Sequence, residues 1–541
     1  MKPTILPLLL VVIPLALLSA CSEIKTPDDR MELRGVWITN VDSDVMFDRK
    51  STAEAMQYLS DRGFNIVYPV VWNAGYTLYP SDVMVDYFGE DYRVDPRFTD
   101  PDRDPLKDII IEARKHGMEV MPWFEYGFAS SHDKGGGHIL ESYPHWAAKD
   151  SSGVLLSKNN FEWMNAFHHE VQEFILALIA EVIENYDIDG IQGDDRLPAL
   201  PAEGGYSEYT RDLYYEDFGE EPPLDPREEP FLQWKADRLS DFGEQMYDMV
   251  KSYDTELSVS LSPSIYDWSK KEYLQDWTEW VRRGTVDLLH PQIYRYDIQA
   301  YLDELEVQQE YFLEAMEERD PESERDQNIY HAPGVLIKVG DNYNGPEYVR
   351  RAIDRHHELG LDGEVYFFYE GLHEENDHLG DSIYAHHYRK PAFIPHRDFE
   401  RRKPAYRLPH DYADTTNTGE WQDAEHQGAW KNRLMVSEST GAANRLRLFI
   451  SDEGYYDIMV HVPFENIPEE EIVYVLELPE EQFEYVMDVS AAKQGGWHIL
   501  DTRHFRQGER FHVTVKQPEH STKPVWFDGL MFQRNHHYSI Q

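Results

Sequence analysis

Between about residues 33 and 395 a short apolar, β-branched run is followed by an amphipathic helical pattern, and this happens eight times. That alternation leaves few folds open. Near-continuous apolar strands must be buried on both faces, and a parallel sheet covered by helices provides that burial. The strand-like runs are 34–40, 65–72, 119–124, 190–193, 256–261, 287–292, 330–337 and 363–369. Helices are predicted from Ser51 or Thr52 to Gly63 and over 105–116, 170–185, 231–252, 273–283, 298–316 and 346–359, with a short one at 382–389 completing the eighth unit. The expected fold is α/β, a (β/α)8 TIM barrel over 33–395, and 541 residues leave room for a second domain.

After Pro391 the pattern changes. Pro391, Pro395, Pro404 and Pro409 mark a linker at 396–410. Short alternating runs follow at 446–450, 455–462, 472–478, 511–515 and 526–532, with a hairpin signal at Asp452-Glu453-Gly454. They predict an all-β sandwich over 411–541.

The N-terminus reads as a targeting segment over 1–21. Lys2 precedes an apolar stretch at 5–18, and Leu18-Ser19-Ala20-Cys21 ends in the only cysteine. This resembles a bacterial lipoprotein signal, which implies that Cys21 becomes the lipidated first residue, followed by a polar tether at 22–32. Ser22 after it favours outer-membrane sorting. The expected location is the cell envelope, lipid-anchored, on the periplasmic face or the cell surface. A single cysteine excludes an internal disulfide, and no other run is long enough to span a bilayer. The 101 acidic residues against 51 basic ones, a net charge of -50, exclude a polyphosphate partner, because nucleic-acid binding needs a basic footprint. The aromatic share of 13% suits sugar binding and core packing alike.

Chemistry points to Asp189-Gly190-Ile191-Gln192-Gly193-Asp194-Asp195-Arg196. Two adjacent carboxylates follow a short strand and precede a Pro- and Gly-rich segment, and barrels keep their catalytic groups at such strand ends. Glu125, in Glu125-Tyr126-Gly127, leaves the third strand in the same way. Because side chains alternate along a strand, a regular strand would turn Asp194 and Asp195 to opposite faces. Asp195 is then the reacting group, and Asp194 holds Arg196 or a substrate hydroxyl.

Four motifs carry a resemblance: Arg34-Gly35-Val36-Trp37, Pro122 to Phe128, Asp189 to Asp195, and His290-Pro291-Gln292-Ile293-Tyr294-Arg295-Tyr296. In this order they resemble the bacterial family 10 glycosyl-hydrolase-like proteins, a group that includes an outer-membrane lipoprotein cleaving peptidoglycan glycan strands. The chain departs from many relatives in having Arg196 after the acidic pair and Glu125 where Asn is common. Gly454 to Ile458 and Trp526 to Leu530 resemble a golvesin-type or carbohydrate-binding β-domain. The resemblance implies glycoside hydrolysis of a polysaccharide, with peptidoglycan foremost and no cofactor or metal.

That reaction needs a carboxylic acid to protonate the leaving oxygen and a second carboxylate as nucleophile or base. Asp195, Asp194 and Glu125 are the catalytic candidates. Trp72, Trp123, Tyr126, Arg196, Gln292, Tyr294 and Arg295 are the substrate-binding ones, since rings stack on sugars and guanidinium offers paired donors. His290 reads as a hydrogen-bonded core residue and His168-His169 as a solvated helix start. Two other readings stay open: a non-catalytic glycan-binding lipoprotein, and a metal-dependent hydrolase using Asp194, Asp195 and His290. The first strand carries no His-x-His to support the second. Oligomeric state is not legible.

Overall fold

The computed structural model describes residues 30–539 except 101, 320–324, 326–327, 398–401, 468–470, 490–493 and 520. The targeting segment, Cys21 and most of the tether lie outside the described residues. The parallel strands are β1 (Leu33–Ile38), β2 (Ile66–Pro69), β3 (Glu119–Val120), β4 (Gly190–Gly193) and β5 (Ser258–Leu261). They continue with β6 (Leu288–Leu289, resuming at Gln292–Ile293), β7 (Tyr330–His331, resuming at Gly334–Leu336) and β8 (Gly363–Phe367). Each strand from β1 to β3 and from β4 to β8 pairs in parallel with the next. A parallel bridge between Trp123 and Gln192 joins β3 to β4, and β8 pairs with β1.

Three of the runs expected to be continuous are interrupted. Pro122, Pro291 and Pro333 sit at the breaks in β3, β6 and β7, where a residue without an N–H cannot donate to the ladder.

A helix follows each strand: α1 (Arg49–Asp61), α2 (Pro105–Lys115), α3 (His169–Asn185), α4 (Glu229–Tyr253), α5 (Trp277–Arg283), α6 (Ile298–Glu317), α7 (Pro346–Leu359) and α8 (Glu374–Ile383). Their starts are chemically specified. The Asp48 carboxylate caps α1 by accepting from Ser51 N, and Asp104 caps α2 with Pro105 in the first turn. The face of α3 that packs on the sheet buries Val171, Phe174, Ile175, Leu178, Ile179 and Val182, each such side chain contributing about 1.5–3 kcal/mol. The helix expected over 273–283 is broken instead. Leu274 adopts a left-handed conformation between Trp268–Tyr273 and α5, which frees Gln275 to point elsewhere. The last helix starts earlier than expected, beyond a left-handed kink at Glu375, Asn376 and Asp377, and continues into a π turn over Tyr384–Tyr388.

The C-terminal part is antiparallel. One sheet orders Tyr406–Pro409, Gly529–Arg534, Gly454–Val462 and Gly496–Phe505. A second orders Thr415–Thr418, Ala443–Phe449, Arg510–Lys516, Glu471–Glu477 and Gln482–Asp488. Leu446, Ile458, Tyr474, Phe511 and Phe532 are buried in a core of its own. Ile111 of α2 packs with Met459, Trp497 and Met531 of this region, and Gln533 Nε2 donates to Ile111 O at 2.9 Å. The segment expected to be an extended linker is tied down in its described residues. Arg397 Nε donates to Glu119 Oε1 at 2.7 Å and Arg402 Nε to Asp189 Oδ1 at 2.5 Å, both at the starts of strands. Among the described residues no helix is long and apolar enough to cross a membrane.

Candidate active site

β4 ends at Gly193 because the chain folds back there. A Cβ on Gly193 would lie 2.4 Å from Leu197 O, and Leu197 N donates to Asp194 O at 3.0 Å. Asp194 and Asp195 therefore belong to a turn, and the strand alternation expected to separate them does not apply. Both carboxylates reach Arg196. Its Nη2 lies 3.0 Å from Asp194 Oδ2, and its Nη1 lies 3.0 Å from Asp195 Oδ1.

The exit of β3 closes on the same turn. Gly127 (φ +46°) presses against Arg196, where a Cβ would stand 2.0 Å from the carbonyl oxygen, and Phe128 N donates to that oxygen at 3.0 Å. Glu125 Oε1 is thereby brought to 3.3 Å from Arg196 Nη2, and Glu125 O accepts from Arg196 Nε at 2.9 Å. The rings of Phe161 and Tyr126 lie 4.8 and 5.6 Å from the guanidinium carbon. One cation thus holds three carboxylates from two neighbouring strand ends.

Their environments differ. Asp194 is 2% exposed and pinned by Gln292 Nε2 at 2.5 Å and Ser262 Oγ at 3.3 Å. Burial, reinforced by the Asp195 charge, holds its carboxyl well above the usual carboxylate range. Glu125 is 18% exposed. Burial raises its pKa against the opposing pull of Arg196 and of Asn73, whose Nδ2 donates to Oε2 at 2.5 Å. Asp195, at 31%, is the most exposed of the three. Burial works against the charge on Arg196, but the three carboxylates outweigh it and raise its pKa.

The other candidates divide. Gln292 joins the cluster through Asp194. Tyr294 is partly exposed and packs on Phe367 at 5.2 Å, with burial and then Asp194 holding its phenol well up. Arg295 turns away to α6, where Nη2 bonds Glu304 Oε2 at 2.8 Å. Trp72 and Trp123 were expected to line subsites, and the structure seals both in the core. Trp72 is fully buried against Phe174 with Nε1 donating to Gly127 O at 3.0 Å, and Trp123 is 2% exposed beside Trp37. Tyr126, 8% exposed, is a wall for the guanidinium more than a platform for a sugar. Three supporting residues were given no role at the carboxylates from sequence. Ser262 and Asn73 bond the carboxylates, and Gln275 Nε2 braces the acidic turn by donating to Asp194 O at 3.0 Å.

The histidines form hydrogen-bonded structure. His290 is buried, its Nδ1 facing Ala332 O at 2.6 Å and its Nε2 facing Tyr68 OH at 3.0 Å; burial lowers its pKa to about 3. It is neutral and apart from the carboxylates. His168, expected on a solvated helix start, is buried and caps α3. His145, His168 and Glu170 bring donor atoms within 4.8 Å of one another. However, His168 Nδ1 accepts from Glu170 N at 3.2 Å, which assigns its proton to Nε2 and leaves that nitrogen no free lone pair for a metal.

Residues 32–320, more than half of the chain, match the model of the family described as "Glycosyl hydrolase-like 10", and the chain belongs to that family. Among characterised sequences it is similar to "Glycosyl hydrolase YngK" of Bacillus subtilis, 24% identical over 405 residues that cover 67% of this chain and 73% of the relative. "Glycosyl hydrolase DigH" of Escherichia coli K12 is 23% identical over 326 residues, 51% of this chain and 70% of that one. A solved structure of the PgaB (BpsB) glycoside hydrolase domain from Bordetella bronchiseptica superposes with a TM-score of 0.47 at 13% identity, covering 65% of this chain and 99% of the other. At that level the structural likeness adds nothing to the family assignment.

Proposed function

We propose that the protein is a glycoside hydrolase that cleaves glycosidic bonds of a polysaccharide, the glycan strands of peptidoglycan. The observation that carries this reading is the pair Glu125 and Asp195. They are two part-exposed carboxylates from neighbouring strand ends, held on opposite nitrogens of one guanidinium. Burial raises the pKa of Glu125, the direction that suits a general acid delivering a proton to the leaving oxygen. Asp195, the more exposed, meets the anomeric carbon or activates a water. Asp194 fixes Arg196 and Gln292 and stays out of contact with substrate. The sequence of parallel pairings, with β8 returning to β1, is read as a closed (β/α)8 barrel whose C-terminal face carries this site.

Cys21, as a lipid-bearing first residue, would anchor the enzyme in the outer membrane beside peptidoglycan, and the C-terminal β-region would grip glycan. The involvement of all three carboxylates with Arg196 favours a second reading, a glycan-binding protein whose acids only accept hydrogen bonds. Mass spectrometry of products from intact and peptide-stripped peptidoglycan, treated with lipid-free protein (Ser22 onward), separates the two. Products whose mass fixes one cleaved bond support hydrolysis, whereas binding without products supports the second reading.

A further inference from the structure

Of the 13 tryptophans, Trp268 alone is exposed, at 46%; the others are buried or half-buried. A single exposed ring is ordinary on a protein surface, but the place of this one is not. Trp268 opens the short helix Trp268–Tyr273, in the segment that runs from the end of β5 to α5. That segment is rooted at the acidic turn from both sides. At its start Ser262 Oγ donates to Asp194 Oδ1 at 3.3 Å, and beyond the helix Gln275 Nε2 donates to Asp194 O at 3.0 Å. The loop that follows Arg196 holds it too, through Leu200 N, which donates to Tyr273 O at 3.1 Å.

Tyr273 links the indole to the carboxylates. The two rings lie 5.5 Å apart, tilted by 50°. Tyr273 is 9% exposed and already engaged: Asn159 Nδ2 donates to its hydroxyl at 2.9 Å, the Lys158 ammonium lies 4.7 Å from its ring centre, and Trp163 packs at 6.1 Å. Burial, and next the charge on Asp195, push its phenol up to about 12, which puts Asp195 within electrostatic reach of it. Tyr273 is therefore a brace and Trp268 the open ring beyond it. Among the described residues no other ring and no cation packs on this indole, and its Nε1 has no hydrogen-bond partner. The charges on its helix are matched, Lys270 by Asp276 at 2.7 Å, Lys271 by Asp267, and Glu272 by Lys158 at 2.6 Å. What stands open is an uncharged flat face with one N–H donor at its edge. That chemistry suits the apolar face of a pyranose ring and one of its hydroxyls.

We propose that Trp268 is the stacking platform of an outer subsite of the glycan cleft and takes a pyranose ring of the substrate strand. The proposal rests on the hydrolase reading for its place in a cleft. Because Tyr273 stands between the indole and Asp195, the ring on Trp268 is not one of the two joined by the bond that breaks. The platform therefore adds affinity only for strands that extend past those two sugars.

The test uses Asp195→Asn protein (Ser22 onward), titrated with long peptide-stripped peptidoglycan strands and with their disaccharide unit. Acrylamide quenching of tryptophan fluorescence reports chiefly on Trp268, the exposed one. Long strands are expected to shield it and the disaccharide to leave it open. Adding Trp268→Ala is expected to weaken the strands about tenfold, the loss typical of an aromatic anchor, and to leave disaccharide affinity unchanged. Trp268→Tyr, which keeps a ring against Tyr273, is expected to recover part of the loss and guards against loosening of the helix by alanine. Absent strand binding, binding without shielding, or strand affinity unchanged in Trp268→Ala would overturn the platform. An equal loss for the disaccharide would also overturn it, by making Trp268 a support of the acidic turn. Product release by the unmutated protein keeps the two proposals apart. Cleavage without shielding removes the platform alone, and shielding without cleavage of any glycan removes the hydrolase alone.

Discussion

Replacing Arg196 with alanine removes the guanidinium that Asp194, Asp195 and Glu125 share. Breaking a buried ion pair from one side costs about 3–5 kcal/mol, and at 13% exposure Arg196 belongs at the lower end, about 3 kcal/mol at neutral pH. The loss must depend on pH with a definite sign. Burial already raises the pKa of Glu125 and Asp194 above their unfolded values, and Arg196 is what restrains both. Without it they rise further, so the folded variant keeps protons that the unfolded chain has released. Its stability is therefore lost as pH climbs from about 4 through the raised folded values. The gap between wild type and Arg196→Ala should widen from pH 4.5 to pH 7.5. Urea titrations at both pH values, followed by fluorescence of the 13 tryptophans, measure it. Arg196→Lys, which keeps the charge but not the fork, should recover part of the loss. A loss equal at the two pH values, or below about 1 kcal/mol at pH 7.5, would refute the shared-cation argument.

Other outcomes follow from the same geometry. Gly127→Ala should destabilise by at least about 1–3 kcal/mol and cut turnover, since its methyl collides with Arg196 O; thermal melts and kcat report both. Trp72→Ala should cost about 3–5 kcal/mol as a core cavity, while Trp72→Phe leaves KM unchanged, because the ring presents no face to substrate; denaturation and steady-state kinetics check this. With Glu125 as the acid, kcat/KM should fall as pH rises through its raised pKa, so the descending limb lies above the model-carboxylate range; a pH–rate profile tests it. Ile111→Asp should unlock the C-terminal region from α2 and expose the 402–410 segment to protease, with a separate melting transition in calorimetry.

The repeating units and the strand ends bearing the acids were legible because burial on both faces leaves a strong mark on composition. Pairing detail was less so. Pro122, Pro291 and Pro333 stand in plain view, yet an apolar run reads as one strand until the missing N–H of proline is set against a particular neighbour. The acidic turn was located, but the alternation argument failed for a reason invisible locally: Gly193 ends the strand by folding onto Leu197 O. Tryptophan at a strand end has the same local signature whether it lines a cleft or fills a core, so Trp72 and Trp123 could not be placed. Gln275 lay beyond reach altogether, since it meets Asp194 across 81 residues of chain and only after the break at Leu274.

The central claim, that Asp195 and Glu125 perform hydrolysis, is met most directly by single-turnover rates of Asp195→Asn and Glu125→Gln on the glycan the wild type cleaves. Each should fall about 10²–10⁴-fold with folding and glycan affinity retained. Rates within tenfold of wild type in either variant would contradict it.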